Sequence, residues 1–118
     1  MRRLTNEKLL KTIYMLRKSA SKENASLWVR AAEHLSKPRS RRTIVNLSQI
    51  NRYSVGGETI LIPGKVLGSG KIDHPVTVAA YAFSKSAKAK ILESGGRTLS
   101  IDDLVKDNPK GSNVKLMG

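Results

Sequence analysis

The stretch Gly64-Lys65-Val66-Leu67-Gly68-Ser69-Gly70-Lys71-Ile72 constrains the fold of this chain more than any other. It sets glycines at 64, 68 and 70 and lysines at 65 and 71 between a strand-like run ending at Pro63 and another beginning at Val76. The chain then enters a lysine-rich helix. Backbone without side chains approaches a phosphate closely, and glycine accepts the dihedrals that such a turn needs. The expectation is a basic loop-and-helix surface that holds RNA.

Charge points the same way. The 118 residues carry 22 Lys and Arg against 9 Asp and Glu, a formal net charge of +13. In a chain this short, self-repulsion of that size calls for a polyanionic partner. The excess leans toward the N-terminus: residues 1–42 have a balance of +9 and residues 43–118 one of +4. No cysteine is present, which excludes a disulfide framework and thiolate zinc sites. No apolar run approaches a membrane span, and the start Met1-Arg2-Arg3-Leu4 lacks the pattern of a secretory signal. The chain therefore reads as soluble, unprocessed and cytoplasmic, with no membrane partner. A basic amphipathic helix lying on a membrane is the competing reading of the first segment, and Tyr14 is its only aromatic residue.

One α/β domain is expected over 1–118, made of a helical part (1–36), a basic segment (37–42) and a mixed core (43–118). Leu9, Leu10, Ile13, Tyr14 and Leu16 follow the spacing of one helix face over Asn6–Ser19, with Thr5 or Asn6 as cap. Ser19-Ala20-Ser21-Lys22 reads as the join to a second helix, Glu23–Ser36, in which Leu27, Trp28, Ala31, Ala32 and Leu35 recur until Pro38 stops it. Trp28 reads as core rather than as a base-stacking platform.

Downstream, Thr43–Leu47 predicts a strand and Ser48–Arg52 a helical turn capped by Ser48. Glu58–Pro63 and Lys65–Leu67 predict two short strands around Gly64, and Val76–Phe83 an interior strand. Ser84 caps a helix running to Ser94, ended by Gly95-Gly96. Arg97–Ile101 reads as a strand, Ile101–Asp107 as a turn of helix, and Val114–Met117 as a final strand.

Lys37-Pro38-Arg39-Ser40-Arg41-Arg42 is the densest positive run, four cations in six residues. A solvated linker is its plain reading. The charge of the whole chain favours phosphate binding, for which the guanidinium fork is suited. Lys85 and Lys88 sit where cations oppose the helix macrodipole, a placement that a phosphate at the helix start would turn to use.

Enzyme signals fail. Gly70-Lys71 is followed by Ile72 and preceded at the critical spacing by Lys65, so no Walker loop exists. Asp73 occupies the position where a dinucleotide fingerprint needs a small residue. His34 and His74 are two isolated histidines, read as surface or capping residues rather than metal ligands. Asp102 and Asp103 are adjacent, do not converge, and suit the start of a helix. No catalytic residue, metal, cofactor or small-molecule substrate is expected.

The run Lys65-Val66-Leu67-Gly68-Ser69-Gly70-Lys71-Ile72, with Val76-Thr77-Val78, Phe83-Ser84, Ala87, Ile91 and Gly95-Gly96, resembles the shared signature of two large-subunit ribosomal protein families. They are the bacterial family numbered fifteen and the archaeal and eukaryotic family numbered eighteen. The second is the closer resemblance, since Glu33–Arg42 and Val45-Asn46-Leu47 follow its earlier segment. Gln49 departs from that pattern, which has a basic residue there. The short length is similar to archaeal members. The resemblance implies layered strand-strand-helix units behind a two-helix start, and a structural role in the large ribosomal subunit without catalysis. The implied partners are ribosomal RNA and neighbouring ribosomal proteins.

The residues expected to hold RNA are first Arg39, Arg41, Arg42, Lys65, Lys71, Lys85 and Lys88, then Arg2, Arg3, Arg52, Lys90 and Arg97, with Gly64, Gly68 and Gly70 shaping the loop. The rival readings are a basic architectural protein that coats DNA and a nucleotide hydrolase built on the glycine loop.

Overall fold

The computed structural model describes residues 7–38 and 42–118. The expected caps Thr5 and Asn6, and the expected RNA contacts Arg2, Arg3, Arg39 and Arg41, lie outside the described residues.

Helix α1 (Glu7–Glu23) buries Leu9, Thr12, Leu16 and Ala20, a stripe one turn or more apart along one face. It runs four residues beyond the expected end. Ala20 belongs to that stripe, so the segment expected as the join is helix. The turn comes instead at Asn24, held at φ +54°, a conformation that asparagine tolerates. Helix α2 (Ser26–Ser36) packs against α1 and fully buries Trp28, Ala31, Ala32 and Leu35. Trp28 Nε1 donates to the Pro109 carbonyl at 2.7 Å, which satisfies its polar atom inside the core.

Five strands follow: β1 (Thr43–Asn46), β2 (Thr59–Leu67), β3 (Thr77–Phe83), β4 (Arg97–Ser100) and β5 (Val114–Leu116). All pairings are parallel. The sheet order is β1-β2-β3-β4, and β5 shares the outer edge of β2 with β1. Where two strands around Gly64 were expected, β2 is one strand through Pro63 and Gly64. β5 pairs with its first half and β1 with its second, and the β2–β3 register shifts between Ile62 and Lys65. Proline, which cannot donate to a ladder, therefore falls at the handover from β5 to β1 and at an irregularity.

Helices cover both faces, which is why β2 and β3 read as continuous apolar runs rather than alternating ones. Along β2, Leu61 faces α1, α2 and α5 (Ile101–Asp107), whereas Ile60 and Ile62 face α3 (Leu47–Tyr53) and α4 (Lys85–Glu93). The result is a three-layer mixed α/β domain with two cores separated by the sheet. Ser84 caps α4 through the Ala87 amide, as the sequence suggests, and Ser100 caps α5 through the Asp103 amide. For α3 the cap is Asn46, not Ser48: Asn46 and Gln49 form a reciprocal capping box.

Parallel neighbours normally need a crossover helix. Between β2 and β3 the chain returns with nine residues, 68–76, and no helix. This link lies beside α3 along its whole length. Ser48 N donates to the Ser69 carbonyl at 3.1 Å, Asp73 N donates to Asn51 Oδ1 at 3.1 Å, and His74 Nε2 lies 2.8 Å from Ser54 Oγ. Half-buried Ile72 reaches the core between α3 and α4. The glycine string occupies the place of a helix.

Candidate nucleic-acid interface

A parallel sheet sends all its strand ends to one side, and the helices that follow β1, β3 and β4 begin there with their positive dipole ends. From the middle of β2 to this carboxyl end the structure gathers cations from distant parts of the sequence. Lys65 is exposed near the end of β2, and Lys85 and Lys88 stand exposed on the first turns of α4. The first residue of β1 pairs with Gly64, so Arg42, which precedes that short strand at its amino end, is level with the middle of β2. Its Nε donates to the Lys37 carbonyl at 3.1 Å, which fixes the arm on the described end of the basic segment. Arg42 and Lys65 line one hollow of about 200 Å³ with Leu35, Tyr81 and Ala82. Lys88 and Asp103 line a neighbouring groove of about 390 Å³, on the other side of Tyr81.

Tyr81 and Lys8 escaped the sequence reading. Lys8 Nζ stands 4.9 Å from the centroid of the Tyr81 ring, within cation–π range, so the start of α1 adds a further positive charge beside both hollows. No local signal marks this pair, which are 73 positions apart. Only the docking of α1 on the sheet brings them together.

The glycines have packing duties. At Gly70, φ is +97°, and an added Cβ would stand 2.6 Å from Ser48 Cβ and 2.8 Å from Ser48 N, so only glycine fits in both respects. At Gly64 an added Cβ would run into the Thr43 carbonyl, and at Gly68 into Ser86 Oγ. The Ala87 amide, part of the anion seat expected at the start of α4, is taken by Ser84 Oγ at 3.2 Å. Lys90 is committed too, since its Nζ donates to the Gly68 and Gly70 carbonyls at 2.7 and 3.2 Å.

The remaining expected residues do not join the cluster. Lys71 is exposed partway along the link. Arg97 opens β4 at the amino end of the sheet. Arg52, near the far end of α3, lies 5.9 Å from the Tyr53 ring. Gln49, where the resemblance leads one to expect a basic residue, accepts the Asn46 amide at 3.0 Å and closes the α3 cap.

Near the amino end, Ser54, His74 and Asp73 form a chain. His74 Nε2 is 2.8 Å from Ser54 Oγ, and His74 Nδ1 is 2.8 Å from Asp73 Oδ1. The hydrogen bond from His74 is the largest influence that lowers the Asp73 pKa. The order matches a nucleophilic relay, but the surroundings do not. Ser54 is 8% exposed, and its hydroxyl proton goes to the Ile50 carbonyl one turn back. The three residues clamp the link to the end of α3. Among the described residues, no group of three His, Asp or Glu could hold a metal ion, and no helix is long and apolar enough to cross a membrane.

Three archaeal relatives named large ribosomal subunit protein eL18 are close to half identical to this chain. The protein from Methanothermobacter thermautotrophicus is 46% identical over 113 residues, covering 96% of this chain and 93% of the relative. That from Archaeoglobus fulgidus is 46% identical over 115 residues, covering 98% of each. That from Sulfolobus acidocaldarius is 49% identical over 111 residues, covering 90% and 94%. Residues 4–118 also match the model of one family, and with those identities the chain belongs to the family described as ribosomal protein 60S L18 and 50S L18e.

Proposed function

We propose that this chain is a non-catalytic structural constituent of the large ribosomal subunit, working in the cytoplasm and held on ribosomal RNA by the carboxyl end of its sheet. The observation that carries the reading is the placement of Arg42, Lys65 and Lys88, from three separate segments, around Tyr81 and Ala82, with Lys85 on the same helix as Lys88. The names of the relatives support the assembly.

Affinity comes from release of the counterions that screen the RNA phosphates, and selectivity from the fit of a rigid edge to folded RNA. Lys71 and the basic residues Arg39 and Arg41 extend this footprint, followed by Arg2, Arg3, Arg52 and Arg97. Lys90 acts through the loop it braces. Gly64, Gly68 and Gly70 keep the link close enough for the edge to form. Neighbouring large-subunit proteins meet the remaining surface.

Sedimentation of a cell lysate through a sucrose gradient tests the assembly: the chain should migrate with the large subunit and stay there through a high-salt wash. Binding to purified ribosomal RNA should exceed binding to duplex DNA at matched salt. Equal affinities, with the chain at the top of the gradient, would replace this reading with a DNA-coating protein.

A further inference from the structure

The solvent face of α1 is not spent on the fold. Its buried stripe, Leu9, Thr12, Leu16 and Ala20, packs into the core on the α1–α2 side. Turned away from it are Leu10 at 54% and Tyr14 at 68% exposure, among the largest apolar surfaces that the described chain leaves in water. Helical spacing puts Leu10, Lys11, Arg17 and Lys18 three or four residues from Tyr14, so each is its neighbour on that face. No acid occurs between Glu7 and Glu23. Among the described residues, Lys11, Arg17 and Lys18 have no carboxylate partner.

We propose that this face is a second RNA-binding surface, on which Tyr14 stacks an unpaired base while Lys11, Arg17 and Lys18 hold the flanking phosphates. A ring surrounded by unpaired cations has the chemistry of single-stranded RNA recognition. A lipid surface fits less well, because the principal apolar stripe of α1 is already buried and Leu10 and Tyr14 alone remain to enter a bilayer. α1 lies on one face of the sheet, and α4 with the glycine link lies on the other. With the α1 face on one side of the sheet and Lys85 and Lys88 of α4 on the other, the domain becomes a staple between two RNA segments. This rests on the ribosomal reading above.

The test measures the affinity of the full chain for purified large-subunit ribosomal RNA across a salt series, with footprinting of the bound RNA. It compares wild type, Lys11→Ala/Arg17→Ala/Lys18→Ala, Tyr14→Ala and Lys85→Ala/Lys88→Ala. The triple α1 variant should lower the log-log salt slope by about 2 to 3 and keep its melting temperature, since all three side chains are exposed. Tyr14→Ala should weaken binding on the order of tenfold, and Tyr14→Phe much less. The α1 and α4 variants should lose protection at different nucleotides.

An unchanged slope and footprint in the α1 triple, with the expected losses in the α4 pair, would overturn the second surface and leave the carboxyl-end interface standing. Loss at the same nucleotides in both would overturn the staple. Wild type binding duplex DNA as tightly as ribosomal RNA would remove the reading on which both depend.

Discussion

Lys90 Nζ sits 2.7 Å from the Gly68 carbonyl oxygen, and a second bond at 3.2 Å ties it to Gly70, so one ammonium closes the glycine link onto α4. A residue that looks like a phosphate ligand in the sequence thus neutralises backbone dipoles. Lys90→Met keeps the aliphatic stem and removes both bonds. It should destabilise the fold by about 1 kcal/mol and speed amide exchange at Ser48 and Asp73, the points where the link meets α3. Native-state hydrogen exchange checks this.

Two glycines with positive φ separate strain from collision. Gly57, at φ +86°, has nothing within 4 Å of an added Cβ, so Gly57→Ala should cost only the backbone term, about 1 kcal/mol. Gly70→Ala adds the clash with Ser48 to the same kind of strain and should cost distinctly more, about 3 kcal/mol or above. Denaturant titration of the two variants reads the difference, and equal losses would show that Ser48 yields.

Trp28 is fully buried, with its one polar atom bonded to Pro109. Trp28→Phe removes that donor and part of the ring volume. The expected loss is about 2 kcal/mol, measured by chemical denaturation. Because the bond anchors residues 108–112, which lead into β5, proteolysis of that turn should speed up in the variant.

The pH dependence has two limbs with the same sign. Burial comes first, and Lys37 next, in lowering the His34 pKa from its ordinary 6.5. The folded protein therefore binds this proton less readily than the unfolded chain, and stability falls as pH drops below about 6.5. The backbone amide of Val55, 2.7 Å from Glu58 Oε1, is the largest influence that lowers the Glu58 pKa from 4.5. The bonded carboxylate stabilises the fold above 4.5, and that contribution is lost as pH falls further. His34→Gln should flatten the upper limb alone and Glu58→Gln the lower one, as read from melting temperatures between pH 7 and 3.

Fold class, the start of α4 and most strand positions are legible in the sequence, because Ser84 and the apolar runs Thr59–Ile62 and Val76–Ala80 announce themselves locally. What escaped depends on distant partners. Ser48 looks like a cap, but Asn46, two residues earlier, forms the reciprocal pair with Gln49, and the Ser48 amide is claimed by Ser69. Ser19–Lys22 has the composition of a turn, yet Ala20 faces the core and the helix continues through it. The glycines suggested a phosphate cradle, and only three-dimensional packing shows how closely Ser48, Thr43 and Ser86 press on them. The cations at the carboxyl end were named individually, whereas their convergence, and the exclusion of Arg97 and Arg52 from it, follow from parallel pairing that local patterns do not encode.

Arg42 and Lys65 come to line one hollow only after β1, β2 and β3 have zipped in register. On the proposed RNA-binding function, an unfolded copy would have the same electrical attraction for RNA but no shared edge to present, so its grip would be diffuse and easily washed away by salt. Maturation of the chain and commitment to its site are thereby coupled, and a misfolded copy is disadvantaged in competition for that place without any separate inspection step.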